Sequence, residues 1–118
     1  MPTFTCQAEA RGTICLIRTN GYLDEAGGRV LAETVGQWLP KGIRHFVLNF
    51  QGSPVINSQG IAQLIELSEI VVDEKKGGLA FVGLNELTMG VFRMVGLLKV
   101  GQAFPDEASA LEDLASQG

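Results

Sequence analysis

The chain has 118 residues, 46% of them hydrophobic and 19% charged, with a formal net charge of −4. That is enough chain for one hydrophobic core but not for two, and too apolar a composition for disorder, so residues 1–118 are read as a single domain. No apolar run approaches the roughly 20 residues of a membrane-spanning helix, and the longest basic cluster is Lys75-Lys76. The sequence therefore argues against direct membrane insertion and against nucleic acid as a partner, since phosphate binding needs a basic stripe. The N-terminus Met1-Pro2-Thr3-Phe4-Thr5-Cys6 lacks the charged start and apolar run of a signal peptide, which points to the cytoplasm.

Alternation from Phe4 to Glu9 predicts a half-buried edge strand, Arg11-Gly12 a turn, and Thr13 to Thr19 a more apolar strand, together a hairpin. Cys6 and Cys15 fall on these two strands and read as small apolar core residues, with a disulfide as the alternative; no CxxC or Cys/His spacing suggests a metal. After the break at Asn20-Gly21, Asp24 is placed to cap a helix from about Ala26 to Leu39, whose apolar face is Val30, Leu31, Val35, Trp38 and Leu39. Pro40 and Gly42 end it.

Arg44 to Phe50 is nearly continuously apolar, as expected of a central strand covered on at least one face. A loop over Gln51 to Pro54 leads to Asn57-Ser58, either of which suits an N-cap. Ile61, Leu64, Ile65, Val71 and Val72 then mark one face of a helix of about four turns, with Glu66, Glu69 and Asp73 opposite. Lys75-Lys76 complement its C-terminal dipole and Gly77-Gly78 stop it. Leu79 to Val82 is a short buried strand. Leu87, Val91, Met94, Val95 and Leu98 mark a third helix, opened by Asn85 and ended by Gly96. Val100 to Phe104 is a last strand, and Pro105-Asp106-Glu107 opens a helix with the acids its dipole prefers.

The order β-β-α-β-α-β-α-β-α predicts an α/β fold: a mixed sheet of about five strands, an opening β-hairpin followed by alternating α and β, with about four helices mainly on one side. One histidine, two cysteines and no glycine-rich phosphate loop offer neither a nucleophile with its base nor a metal set. The expectation is a binding protein rather than an enzyme, with no catalytic residue, cofactor or metal.

Four motifs carry a resemblance. Gly21-Tyr22-Leu23-Asp24 matches a G-x-L-D turn, and Val47-Leu48-Asn49-Phe50 stands where an apolar strand usually contains Asp. Ile56-Asn57-Ser58-Gln59-Gly60-Ile61 stands where the pattern is Asp-Ser-(Ser/Thr)-Gly-Leu, and Phe104-Pro105-Asp106-Glu107-Ala108-Ser109-Ala110-Leu111 matches a final strand and helix. In this order they resemble the STAS domain family, of the anti-sigma factor antagonist type, over nearly the whole chain. The departures are Asn49 and Asn57, each in place of Asp, and Gln59 in place of Ser or Thr.

The resemblance implies a partner-switching protein. It would bind an anti-sigma factor that is also a serine kinase, be phosphorylated at Ser58, and be restored by a cognate phosphatase. Asp24, Asn57, Ser58 and Gly60 would be the local contacts. The alternative it implies is a constitutive, unphosphorylated STAS-type subunit of a lipid-trafficking ABC transporter complex or of a signalling scaffold. Either form would be a monomer or weak dimer.

Each residue also has a structural reading. Ser58 could be an ordinary N-cap, or Asn57 could be the cap and leave Ser58 exposed. Gly60 could admit a partner close to the backbone or serve helix packing. Asp24 and Tyr22 could touch the partner, or be a cap and a half-buried aromatic. Met89 and Phe92 lie off the main stripe of the third helix, as an exposed apolar patch for a partner or as peripheral core.

Overall fold

The computed structural model describes residues 4–117, so Met1, Pro2 and Thr3 of the N-terminal stretch, and the last residue of the domain, lie outside it. Five strands form one sheet in the order β1-β2-β3-β4-β5: Thr5–Arg11, Ile14–Asn20, His45–Gly52, Gly78–Val82 and Gly101–Phe104. The β1–β2 hairpin is antiparallel, and β3, β4 and β5 add parallel to it. The helices are α1 Glu25–Trp38, α2 Ser58–Ser68, α3 Glu86–Met94, α4 Leu97–Val100 and α5 Glu107–Ser116.

From β2 onward each strand adds on the same side of the previous one. Right-handed crossovers then place every connecting helix on one face of the sheet. That face carries the larger core: Cys15 and Ile17 of β2, Phe46, Leu48 and Phe50 of β3, and Leu79 and Phe81 of β4, packed under Leu31, Leu64, Phe92 and Leu97. The helix α5 connects nothing, so no crossover rule binds it. It covers the opposite face, where Ala110 and Leu114 meet Ile14, Leu16, Val47, Ala80 and Val82. Both faces of β3 are thus buried, which is why its apolar run does not alternate.

Several element ends differ from the sequence expectation. The second long helix continues past Ser68 as a π-helical segment, Glu69–Glu74, closed by a Lys75 N–H to Ile70 carbonyl bond of 2.9 Å. The residue that leaves the helix through the left-handed region is Lys76, at φ 58°, rather than Gly77. Gly77 is needed for a different reason: a Cβ there would lie 1.8 Å from the Arg44 carbonyl oxygen. Cys6 and Cys15 do sit on neighbouring strands, but Cys6 lies opposite Thr19 and Cys15 opposite Ala10. That offset puts them about 13 Å apart, beyond disulfide reach, and both are free thiols. Burial pushes each up to about 11.

The largest correction concerns α3. Its inward stripe is Thr88 and Phe92, both buried, while Leu87 and Met94 are 75% and 83% exposed. Successive helical residues are about 100° apart, so a shift of one position turns Leu87 and Met94 outward, while Val91 and Leu98 stay packed at the edge of the core. Phe92 decides the orientation. Its ring meets Phe81 and Phe50 edge-on, at centroid distances of 5.2 and 5.9 Å. Phe92 is therefore core and not part of an exposed patch, and Met89 is only half-buried. Replacing Phe92 by Ala is expected to lower stability by about 3–5 kcal/mol, seen as a lower urea midpoint.

Candidate functional site: two helix N-termini joined by their loops

The parallel pairing of β2 and β3 runs on past the strands into the loops that follow them. The Gly21 N–H donates to the Gly52 carbonyl at 2.9 Å, Leu23 N–H to Val55 carbonyl at 3.1 Å, and Asn57 N–H to Leu23 carbonyl at 3.1 Å. Leu23 and Ile56 form an isolated parallel bridge. Leu23 itself is fully buried. The loops therefore deliver the N-termini of α1 and α2 side by side.

Each N-terminus has its own cap. The Asp24 carboxylate accepts from the Gly27 N–H, and the Asn57 side-chain oxygen accepts from the Gly60 N–H, both at 2.8 Å. With Asn57 as the cap, Ser58 is the first residue of α2 and is exposed. The first four N–H groups of a helix lack intrahelical partners. In α2 those of Asn57 and Gly60 are used by Leu23 and by the cap, which leaves Ser58 and Gln59, two exposed residues, carrying the others. The hydroxyl thus sits on a free, electropositive helix end.

Gly60 is buried, and a Cβ there would lie 2.1 Å from the Leu23 carbonyl oxygen. The close approach it permits here is between α2 and the neighbouring loop. A similar contact occurs at Gly28, where a Cβ would lie 2.4 Å from the Gln63 Cβ, so α1 and α2 pack closely. Tyr22 is 46% exposed at the rim.

Sequence reasoning passed over the support beneath this junction. Ser53, inside the segment read simply as loop, is buried, and its hydroxyl shares a 2.8 Å bond with that of buried Thr19. The Thr19 hydroxyl also lies 3.2 Å from the Asn49 carbonyl oxygen. The Asn85 side-chain amide, capping α3, donates to the Pro54 carbonyl at 3.0 Å. The loop is therefore held from below and from the side.

On the α5 face, Asn49 explains one departure from the family pattern. Its Nδ2 donates to Glu107 Oε2 at 2.7 Å, and its Oδ1 accepts from the Gln51 N–H at 2.9 Å. Arg18 grips the same Glu107 carboxylate with Nε and Nη2, both at 2.8 Å, and reaches Glu9 with Nη1 at 2.7 Å. An aspartate at position 49 could only accept, and would face Glu107 with a like charge. The Arg18 guanidinium, helped by Asn49, holds the Glu107 carboxyl below the usual carboxylate range. Among the described residues no group of three or more His, Cys, Asp or Glu is placed to hold a metal ion. No helix among them is long and apolar enough to cross a membrane.

The family model of the STAS domain matches residues 5–110. The chain belongs to the STAS domain family. Its fold is also that of solved structures. An anti-sigma factor antagonist from Mycobacterium paratuberculosis superposes with a TM-score of 0.81 at 18% identity, over 96% of this chain and 95% of that one. A putative anti-sigma factor antagonist from Thermotoga maritima gives 0.82 at 16% identity, over 93% and 94%. The Bacillus cell fate determinant SpoIIAA in its phosphorylated form gives 0.72 at 17% identity, over 92% and 98%. At such identities the likeness is one of fold. Within this STAS domain, the residues singled out by sequence divide cleanly. Asp24, Asn57 and Ser58 are brought together, Gly60 packs beneath them, Met89 lies on α3, and Phe92 is in the core.

The polar tie has a pH signature. The folded state holds Glu107 ionised more strongly than the unfolded chain does. Its contribution is therefore present above the unfolded value of about 4.3 and is lost as pH falls through the lower folded value. Urea midpoints should fall on acidification below about pH 4.3, less steeply in Glu107→Gln. Asn49→Asp should lower stability at neutral pH by about 1–3 kcal/mol, and by less in a Glu107→Gln background.

Proposed function

We propose that this STAS domain is a partner-switching protein of the anti-sigma factor antagonist type. In its unmodified form it binds an anti-sigma factor that is also a serine kinase. Phosphorylation of Ser58 dissociates the complex, and a phosphatase restores it. The observation that carries this reading is the exposed Ser58 hydroxyl on a helix end whose cap is supplied by Asn57. The antagonists among the structural relatives, one of them solved in a phosphorylated form, support it. The domain acts by binding, in the cytoplasm, as a monomer or weak dimer, and Asp24 and Asn57 frame the acceptor.

The switch follows from electrostatics. A phosphate on Ser58 meets helix N–H groups and the positive end of the dipole, so it leaves the fold intact. It adds about −1.5 to −2 charges. One like charge about 5 Å away in the partner, at an effective dielectric of roughly 20, opposes binding by about 3 kcal/mol. That is about two orders of magnitude in affinity, without any refolding.

Incubation with the serine-kinase anti-sigma factor and ATP should add one phosphate, located at Ser58 by mass spectrometry and absent in Ser58→Ala. Ser58→Asp should weaken the complex by about two orders of magnitude in titration calorimetry while retaining the wild-type melting temperature. Unchanged binding by Ser58→Asp would point instead to a constitutive subunit of a transporter complex or scaffold.

A further inference from the structure

Thr19 stands at a break in the parallel pairing of β2 and β3. Arg18 lies opposite Asn49, but Asn20 lies opposite Gly52. Across this interval β3 carries one residue more than β2, which makes a bulge. The Thr19 hydroxyl reaches both ends of the extra length. It lies 3.2 Å from the Asn49 carbonyl oxygen, where the regular pairing stops, and 2.8 Å from the Ser53 hydroxyl, just past it. A hydroxyl has one proton to give, so both bonds form together when Thr19 donates to Asn49 and Ser53 donates to Thr19. The two residues are only 4% and 1% exposed, so water does not replace either bond. We propose that Thr19 is a positioning residue for phosphate transfer to Ser58: its hydroxyl clips the β3 bulge shut and so sets the register in which the β3–α2 loop pairs with the β2–α1 loop.

The bulge is closed tightly. The Ser53 N–H turns back to the Phe50 carbonyl at 2.9 Å, and a Cβ on Gly52 would lie 2.5 Å from the Thr19 carbonyl oxygen. Beyond it Leu23 is bridged to Ile56, and the Asn57 N–H donates to the Leu23 carbonyl. A slip of one residue in such pairing exchanges inward for outward side chains. An open bulge would therefore move Asn57 off its capping position and turn Ser58 with it. In the transfer the Ser58 Oγ bonds to the γ-phosphorus of ATP as the bond to the ADP oxygen breaks, and the hydroxyl proton passes to the kinase. Attacking and leaving oxygens must stand in line, so a displaced loop is felt at the chemical step. Thr19 and Ser53 are buried and do not touch the kinase. Their effect on transfer passes through the loop.

The inference rests on the phosphorylation reading of Ser58, and the test separates the two. Initial rates of phosphate incorporation from ATP, catalysed by the serine-kinase anti-sigma factor of the same organism, are measured against the concentration of wild type, Thr19→Val, Thr19→Ser and Ser53→Ala, well below each melting temperature. Thr19→Val keeps the shape of the side chain and removes its hydroxyl. It is expected to lower kcat about ten- to a hundred-fold at an unchanged KM. Thr19→Ser restores the hydroxyl and is expected to recover the wild-type kcat. Ser53→Ala leaves the Thr19 bond to Asn49 and is expected to fall between. In hydrogen exchange without any kinase, the Leu23 and Asn57 amides should lose protection in Thr19→Val while those of β4 keep it. Unchanged exchange at Leu23 and Asn57 overturns the clip. A wild-type kcat in Thr19→Val, a Thr19→Ser as slow as Thr19→Val, or a change in KM alone overturns the positioning role and leaves the switch standing. A wild type that takes up no phosphate at Ser58 overturns both.

Discussion

The junction depends on the backbone pairing between the loop after β2 and the loop after β3. Three hydrogen bonds, from Gly21, Leu23 and Asn57, carry the sheet's parallel register beyond the sheet. Buried Leu23 is common to two of them, accepting from Asn57 and donating to Val55. Because Asn57 is fixed by its own N–H, its side chain is in place to cap α2, and the next residue is delivered to solvent with its hydroxyl unused for capping. Gly60 belongs to the same arrangement, since only a residue without Cβ lets α2 settle against Leu23. Disturbing any of these groups displaces the others.

Much of this was legible in the sequence because local chemistry and tertiary demand agree. Asp24 and Asn85 are caps by residue type and are caps in the fold, while Asp106, read as a first-turn acid, is the cap of α5. The nearly continuous apolar run of β3 signalled a central strand covered on at least one face, and the mixed sheet followed from the hairpin and the crossovers. The sequence left the choice between Asn57 and Ser58 as cap open, because either side chain can accept the bond. What decided it was the Leu23 carbonyl, a backbone group from a distant loop that no local pattern encodes.

The misreadings have a similar origin. On α3 the apolar residues Leu87 and Met94 face outward, Val91 is half-buried against the core, and the buried positions are Thr88 and Phe92. Counting apolar positions favours the wrong face when one of the two inward positions is a threonine. The available signal was the aromatic: Phe92 completes a cluster with Phe50 and Phe81 on two separate strands. Ser53 and Thr19 were missed because small hydroxyls in loops and strand ends look solvated until a partner hydroxyl is known. Asn49 appeared as a departure from a family pattern, and only its bond to Glu107 shows that the amide suits its neighbour.

That bond joins residues 58 positions apart in the chain, and Arg18 reaches 89 positions to the same carboxylate. Arg18 and Asn49 wait for Glu107, and the apolar residues Ile14, Leu16 and Val47 wait for Ala110 and Leu114. During synthesis the hairpin, the three parallel strands and the helices on the first face all emerge before α5. Until α5 has left the ribosome, one side of the finished sheet stays open to water, with the Arg18 guanidinium held by Glu9 alone. The nascent domain is therefore most exposed to misassociation in the interval before α5 docks, when the junction of α1 and α2 is already built.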